Sequence, residues 1–248
     1  MHNFFVLENQ IIENKVSISG KDFNHVKNVL RMKVGDEFLI SIDSKSHLCK
    51  ILEFFDDSLV AEITEKDYMD TSLAIDIYLF QGMPKSDKLE LIIQKAVELG
   101  VKEIIPVQME RSIAKIEDKK VKQKTERFNA IAQSAAEQCK RAFIPTVSQP
   151  LSYKLALEKA KDLDLLLVPY ESQKGILSTK EALSLIKTGY KIGVIIGPEG
   201  GFSDKEIELA KQTPNAHIIS LGKRILRTET AAITSLSMLM LHAEMNLE

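Results

Sequence analysis

Apolar residues along this chain follow two different rhythms. Over residues 1–70 they come as short runs of mixed alternation and β-branched content: NKVSISG, DEFLISID, HLCKILEFF and SLVAEITE. Turn residues such as Gly35-Asp36 and Asp56-Asp57-Ser58 separate them, and such bounded runs predict strands. One stretch departs from this: KDFNHVKNVLRM puts Phe23, Val26, Val29 and Leu30 on one helical face. A small β-barrel with one helical insert is expected for residues 1–70. The polar, weakly patterned EKDYMDTS, residues 65–72, places the boundary of a second domain that occupies residues 71–248.

From Leu73 onward strand-like and helix-like runs alternate. LAIDIYLF, VKEIIPVQ, DLDLLLVPY, YKIGVIIG and NAHIISLG read as buried strands. Between them, Leu89, Ile92, Ile93, Ala96 and Val97 form a helical stripe, which Ser86 or Asp87 can cap and Gly100 can close. Phe128, Ile131, Ala132, Ala135, Ala136 and Cys139 mark a second amphipathic helix, residues 179–187 and 204–211 two more, and residues 229–245 the last. The alternation predicts an α/β domain with a mostly parallel sheet covered on both faces. The last helix is apolar over much of its circumference, so core packing suits it.

Composition narrows the class. The chain has 248 residues, 44% of them apolar, which favours a globular fold. Thirty-three basic against 35 acidic residues give a net charge of −2, so any nucleic-acid surface has to be local. Cys49 and Cys139 suffice for neither a disulfide framework nor a metal cluster, and suit buried thiols in a reducing compartment. No stretch is long and apolar enough for a signal peptide or a membrane span, so a cytoplasmic protein with no metal and no membrane partner is expected.

Two loops carry the candidate chemistry. IIGPEGGFSDKE packs Gly197, Pro198, Glu199, Gly200 and Gly201 directly after a strand, and Ser203 with Glu206 forms a capping box for the helix that follows. Glycines there permit positive φ or a ligand at backbone contact, and an open parallel sheet binds ligands beyond its strand ends. A tight turn into a capped helix is the plain alternative. The loop lacks the lysine and hydroxyl of a phosphate-binding loop, and Glu199 disfavours phosphate; a neutral or cationic ligand suits it better. The second loop, SLGKRILRTETAA, ends the next strand with Leu221-Gly222, brings Arg224 and Arg227, and offers Thr228 as a helix cap. Two such loops on one sheet can form two walls of one pocket.

These paired motifs resemble the C-terminal signatures of SPOUT-superfamily RNA methyltransferases. Three further stretches are similar to the branch of that family that methylates uridine N3 in small-subunit ribosomal RNA: KLELIIQKAVELGVKEIIPVQMERS, SAAEQCKRAFIPTV and HVKNVLRMKVGD. The similarity runs in order over nearly the whole chain. It implies a PUA-like RNA-binding barrel followed by an α/β methyltransferase domain with a C-terminal trefoil knot. It also implies a homodimer with S-adenosylmethionine bound near the subunit interface. Family members usually carry an arginine just before the N-terminal aromatic pair; here His2 and Asn3 precede Phe4 and Phe5.

On that resemblance, main chain and apolar side chains of Pro169, Tyr170, Gly197, Pro198, Gly200, Gly201, Leu221, Gly222, Ile225 and Leu226 are expected to hold the cofactor. Arg227 is expected to stabilise charge on the uracil oxygens, and Glu199 or Glu229 either to take the N3 proton or to hold an ion pair. His25, Arg31, Arg111, Lys140, Arg141 and Arg224 are expected at the RNA. Residues 111–127 contain seven basic against three acidic residues, which also fits a solvated helix face. A non-catalytic ribosome-assembly factor that keeps the fold is the competing reading; a nucleotide hydrolase lacks the required residues.

Overall fold

The computed structural model describes residues 1–85, 88–113, 118–172 and 175–247. The chain divides into two compact units, Met1–Ser72 with Ser134–Ile144, and Leu73–Gln133 with Pro145–Glu248.

In the first unit six strands, β1 (Asn3–Phe5), β2 (Ile11–Ile12), β3 (Lys15–Ser19), β4 (Glu37–Ile42), β5 (Lys45–Phe54) and β6 (Ser58–Met69), form one sheet in the order β1-β4-β5-β6-β3-β2. β1 and β4 run parallel and the other neighbours antiparallel. Among the described residues no pairing joins β1 to β2. Alternate residues of these strands meet in one apolar core with Phe38, Ile40, Ile51 and Leu59 fully buried, and burial pushes the Cys49 thiol up to about 12.

The helical insert differs from the expected single helix. Helix α1 (Gly20–Asn24) passes into a π turn at His25–Val29, where the Leu30 amide bonds the His25 carbonyl at 2.9 Å. A π turn takes more residues per revolution, so Val29 swings out of the stripe and is 66% exposed, while Phe23 and Val26 stay buried. The polar stretch 65–72 is only partly linker. β6 continues to Met69 because Glu65 and Met69 pair with Leu48 and Ser46 of β5. Asn3 is buried: its Oδ1 accepts from Ser41 Oγ at 2.9 Å and its Nδ2 donates to the Arg141 carbonyl at 3.2 Å, which ties β1 to the Ser134–Ile144 segment.

The second unit is built on seven parallel strands: β7 (Asp76–Gly82), β8 (Val101–Gln108), β9 (Thr146–Val147), β10 (Leu151–Ser152), β11 (Leu165–Pro169), β12 (Lys191–Ile196) and β13 (Ala216–Ile219). Their order is β10-β8-β7-β12-β11-β13, with β9 beside β8. The helices are α2 (Lys88–Glu98), α3 (Asp118–Gln138, its residues from Ser134 on counted with the first unit), α4 (Tyr153–Ala160), α5 (Leu177–Ser184), α6 (Asp204–Lys211) and α7 (Thr228–Asn246). The α2 stripe Leu89, Ile92, Ile93, Ala96 and Val97 is buried as its spacing predicts, and Gly100 leaves the helix at φ 90°. Ser86 and Asp87, its expected caps, lie outside the described residues. Helix α4 has no counterpart in the sequence reading; it buries Tyr153, Ala156, Leu157 and Ala160.

α7 packs on α2, β7 and β12 through one stripe, with Ala232, Ser235, Leu236, Leu239 and Ala243 buried. The rest of its apolar circumference is less covered within this chain: Leu241 is 46% and Met245 72% exposed. Among the described residues no helix is long and apolar enough to cross a membrane, and no cluster of three or more His, Cys, Asp or Glu residues could hold a metal ion.

Candidate active site

β7 and β12 lie side by side, with Ile196 in register with Gln81. β8 follows β7 on one side and β11 adjoins β12 on the other, so the connections diverge here, where open sheets form a ligand crevice. The strand ends are tightly packed. A Cβ on Gly82 would stand 2.7 Å from the Pro198 nitrogen and 2.8 Å from both the Ile196 carbonyl oxygen and Met109 Sδ, so only glycine fits beside the 197–201 turn. Sequence reading missed Gly82, because its constraint comes from a segment more than a hundred residues away.

Beyond these ends opens a cleft of about 480 Å³, within the usual size of small-molecule sites. Its walls are residues 169–171, 196–202 and 220–228, with Lys88 and Ala231. Pro169, Tyr170, Gly197, Pro198, Gly200, Gly201, Leu221, Gly222, Ile225 and Leu226 all line it, as do Glu199, Arg224 and Arg227. Tyr170 is held edge-on to Phe202, whose ring in turn meets Tyr153. The turn reverses at Gly201, whose φ of 67° strains other residues, and its amide bonds the Pro198 carbonyl at 2.9 Å.

The α6 capping box forms as its spacing predicts. Ser203 Oγ accepts from the Glu206 amide at 3.3 Å, and Glu206 Oε2 accepts from the Ser203 amide at 2.8 Å. The same buried carboxylate also accepts from the Glu110 amide, and Ser203 Oγ donates to Glu110 Oε2, both at 2.8 Å. The loop after β8 is thereby fastened to the glycine turn.

Thr228 does not cap α7 as expected; Arg227 occupies that position, without a side-chain cap bond. The Thr228 hydroxyl instead donates to the Gly197 carbonyl at 2.7 Å and accepts from Gln81 Nε2 at 2.9 Å, both buried. It therefore joins the start of α7 to the glycine turn and to the central strand.

Glu199 and Glu229 converge on one cation. Lys88 Nζ lies 3.2 Å from Glu199 Oε1 and 3.3 Å from Glu229 Oε2, and the Lys85 amide donates to Glu199 Oε1 at 3.0 Å. Burial works against charge on Glu199, but the Lys85 amide and Lys88 outweigh it and hold its carboxyl below the usual glutamate range. The hydrogen bond to Glu199, then the contact with Glu229, raises the Lys88 ammonium. Glu229 also sits in the first turn of α7, where the helix dipole favours an anion. Arg227 is exposed, and its guanidinium has no partner among the described residues.

Arg111 lies against the turn: its Nη1 donates to the Gly200 carbonyl at 3.1 Å. A Cβ on Gly200 would meet Arg111 Cβ at 2.9 Å, so Arg111 rather than a ligand requires glycine there. The remaining basic candidates belong to the first unit. His25 is exposed and edge-on to Phe4. Arg31 and Lys140 both hold left-handed backbones, with φ 55° and 60°, uncommon for such side chains. Arg141 is half-buried over the Phe143 ring, and burial lowers its pKa. Burial first, and then the N-terminal ammonium, His25 and Lys140, lower the pKa of His2.

Residues 71–240 match the family model of the RNA methyltransferase domain, and residues 18–64 that of the RNA methyltransferase PUA domain. The chain is 37% identical to ribosomal RNA small subunit methyltransferase E of Bacillus subtilis, over 99% of this chain and 98% of that one. It is 34% identical to the protein of the same name from Mesomycoplasma hyopneumoniae, over 94% of this chain and 96% of that one. The crystal structure of ribosomal RNA small subunit methyltransferase E from Neisseria gonorrhoeae, bound to S-adenosyl methionine, superposes with a TM-score of 0.82 at 28% identity and covers 97% of each chain. A diverging parallel sheet, a glycine turn fastened at its switch point and similarity over the full length thus converge: the chain belongs to the ribosomal RNA small subunit methyltransferase E family of RNA methyltransferases.

Proposed function

We propose that this protein transfers a methyl group from S-adenosylmethionine to N3 of a uridine in small-subunit (16S) ribosomal RNA. One observation carries the reading: every residue expected at the cofactor lines a single 480 Å³ cleft at the switch point of the sheet. The cleft suits the cofactor chemically. Main chain and apolar side chains supply flat walls for a nucleoside, and Glu171 and Glu199 place carboxylates where a sulfonium is favoured and a phosphate is not.

S-adenosylmethionine supplies an electrophilic methyl group when bound; the chain supplies position and charge. Uridine N3 attacks well only after losing its proton. The unpartnered guanidinium of Arg227, at the mouth of the cleft, is suited to stabilise the resulting charge on the uracil oxygens. Glu199 and Glu229 share Lys88, which supports a holding role for them over proton transfer.

The reading extends to architecture. Residues 1–70 form the PUA-like barrel that binds RNA through His25 and Arg31, with Lys140 and Arg141 contributing from the inserted segment, and residues 71–248 form the methyltransferase domain, where Arg111 and Arg224 meet RNA. The 197–201 and 220–227 loops, with α7 folded back on β7 and β12, make a trefoil knot. The exposed apolar side chains Leu241, Met245 and Leu91 on α7 and α2 suit a homodimer interface, and the substrate places the protein in the cytoplasm. Mapping of ribosomal RNA modifications by mass spectrometry in cells lacking the gene tests the reaction. Loss of one N3-methyluridine from the small subunit is expected; an unchanged map would overturn it.

A further inference from the structure

Three separate segments meet at Lys88. The lysine opens α2, Glu199 belongs to the glycine turn, and Glu229 lies in the first turn of α7; Lys88 and Glu199 line the cleft, as do Arg227 and Thr228 just before Glu229. Its ammonium lies 3.2 Å from one carboxylate and 3.3 Å from the other. All three side chains are mostly covered, at 32, 24 and 16% exposure, and Lys88 is the cation that faces the buried Glu229 Oε2. Without the cation, two carboxylates would face each other in a poorly hydrated wall, an arrangement that favours proton sharing or separation. Glu171, Lys223, Arg224 and Arg227 border the same cleft, and among the described residues none pairs with Glu199 or Glu229.

We infer that Lys88 is a positioning residue: by joining Glu199 to Glu229 it holds the glycine turn against the start of α7 and so sets the width of the cleft. The inference rests on the cleft being the cofactor site. It explains why the sequence carries a lysine at the start of α2, where the helix dipole favours an acid.

Calorimetric binding of S-adenosylhomocysteine between pH 5.5 and 8.5 tests it, because this ligand lacks the sulfonium charge and reports the shape of the cleft. Wild-type affinity should change little over that range. Lys88→Met should weaken binding at pH 8 about tenfold, the size expected of coupled neighbours, and recover as the pH falls and the carboxylates share a proton. Adding Glu229→Gln to Lys88→Met removes the repulsion and should restore most of the affinity and flatten the profile; Lys88→Arg should resemble wild type. A loss equal at every pH, or a double variant no better than the single one, overturns the inference. If Lys88→Met proves too unstable to purify, the double variant should still fold and bind, and its failure to do so counts equally against the inference. Wild-type protein that binds no ligand at all would instead refute the proposed function.

Discussion

The Arg111 side chain lies across Gly200, with Nη1 bonded to the Gly200 carbonyl at 3.1 Å and its Cβ occupying the space a second Cβ would need. An arginine that reads from the sequence as an RNA contact thus also braces the turn that borders the cleft. Gly200→Ala should weaken S-adenosylmethionine binding about tenfold through displacement of this turn, within the cost of modest overpacking. Isothermal calorimetry decides; unchanged affinity would show that the turn yields without consequence. Arg111→Ala should raise the cofactor Kd more than it alters the salt dependence of RNA binding.

Arg227→Ala should lower kcat about 100-fold, as expected for removal of one charge-stabilising donor, while the melting temperature stays close to wild type. The guanidinium makes no bond within the described chain and contributes no cap to α7. Near-normal turnover would remove Arg227 from the mechanism.

Thr228→Val keeps the shape but deletes a hydroxyl that serves the Gly197 carbonyl and Gln81. Two buried groups lose their partner, so unfolding free energy should drop by about 1–3 kcal/mol in a urea titration. A change within error would show that the groups find other partners.

The depressed carboxyl of Glu199 makes a pH prediction. Its contribution to stability is fully present above the ordinary value of 4.5 and is lost as the pH falls through the lower folded value. Thermal melts should therefore show wild type losing stability more steeply than Glu199→Gln at acid pH, with the two curves converging once the carboxyl is protonated. Parallel curves would mean that the Lys85 and Lys88 contacts do not favour the charged form.

Much of the second unit was legible because its constraints are local. The α2 stripe and the Ser203–Glu206 box are set by residues three and four apart, and both appear as their spacing predicts. What the sequence hid is long-range. Thr228 reads as a cap because nothing nearby shows that Gly197 and Gln81 will claim its hydroxyl. Lys88 reads as an ordinary helix residue because both of its acids lie more than a hundred residues away. Gly82 is constrained by Pro198 and Met109, not by its own turn. Val29 left the apolar stripe through a change of helix type, which periodicity at 3.6 residues does not represent. Helix α4 is short and buries two alanines, a weak signal beside charged neighbours. The cleft itself was readable as two loops on one sheet, but their fastening was not.

The pairing of β7 with β12 has a consequence for synthesis. On the ribosome β7 emerges early, finds β8 on one flank, and leaves its other flank bare until residues 191–196 have been made. For the intervening hundred or so residues a central, apolar strand presents unsatisfied amides and carbonyls to any passing chain. Slow translation between β8 and β12 should therefore raise the demand for chaperones, and the cleft, whose walls apart from Lys88 come from the last third of the polypeptide, closes only when nascent-chain growth is nearly finished.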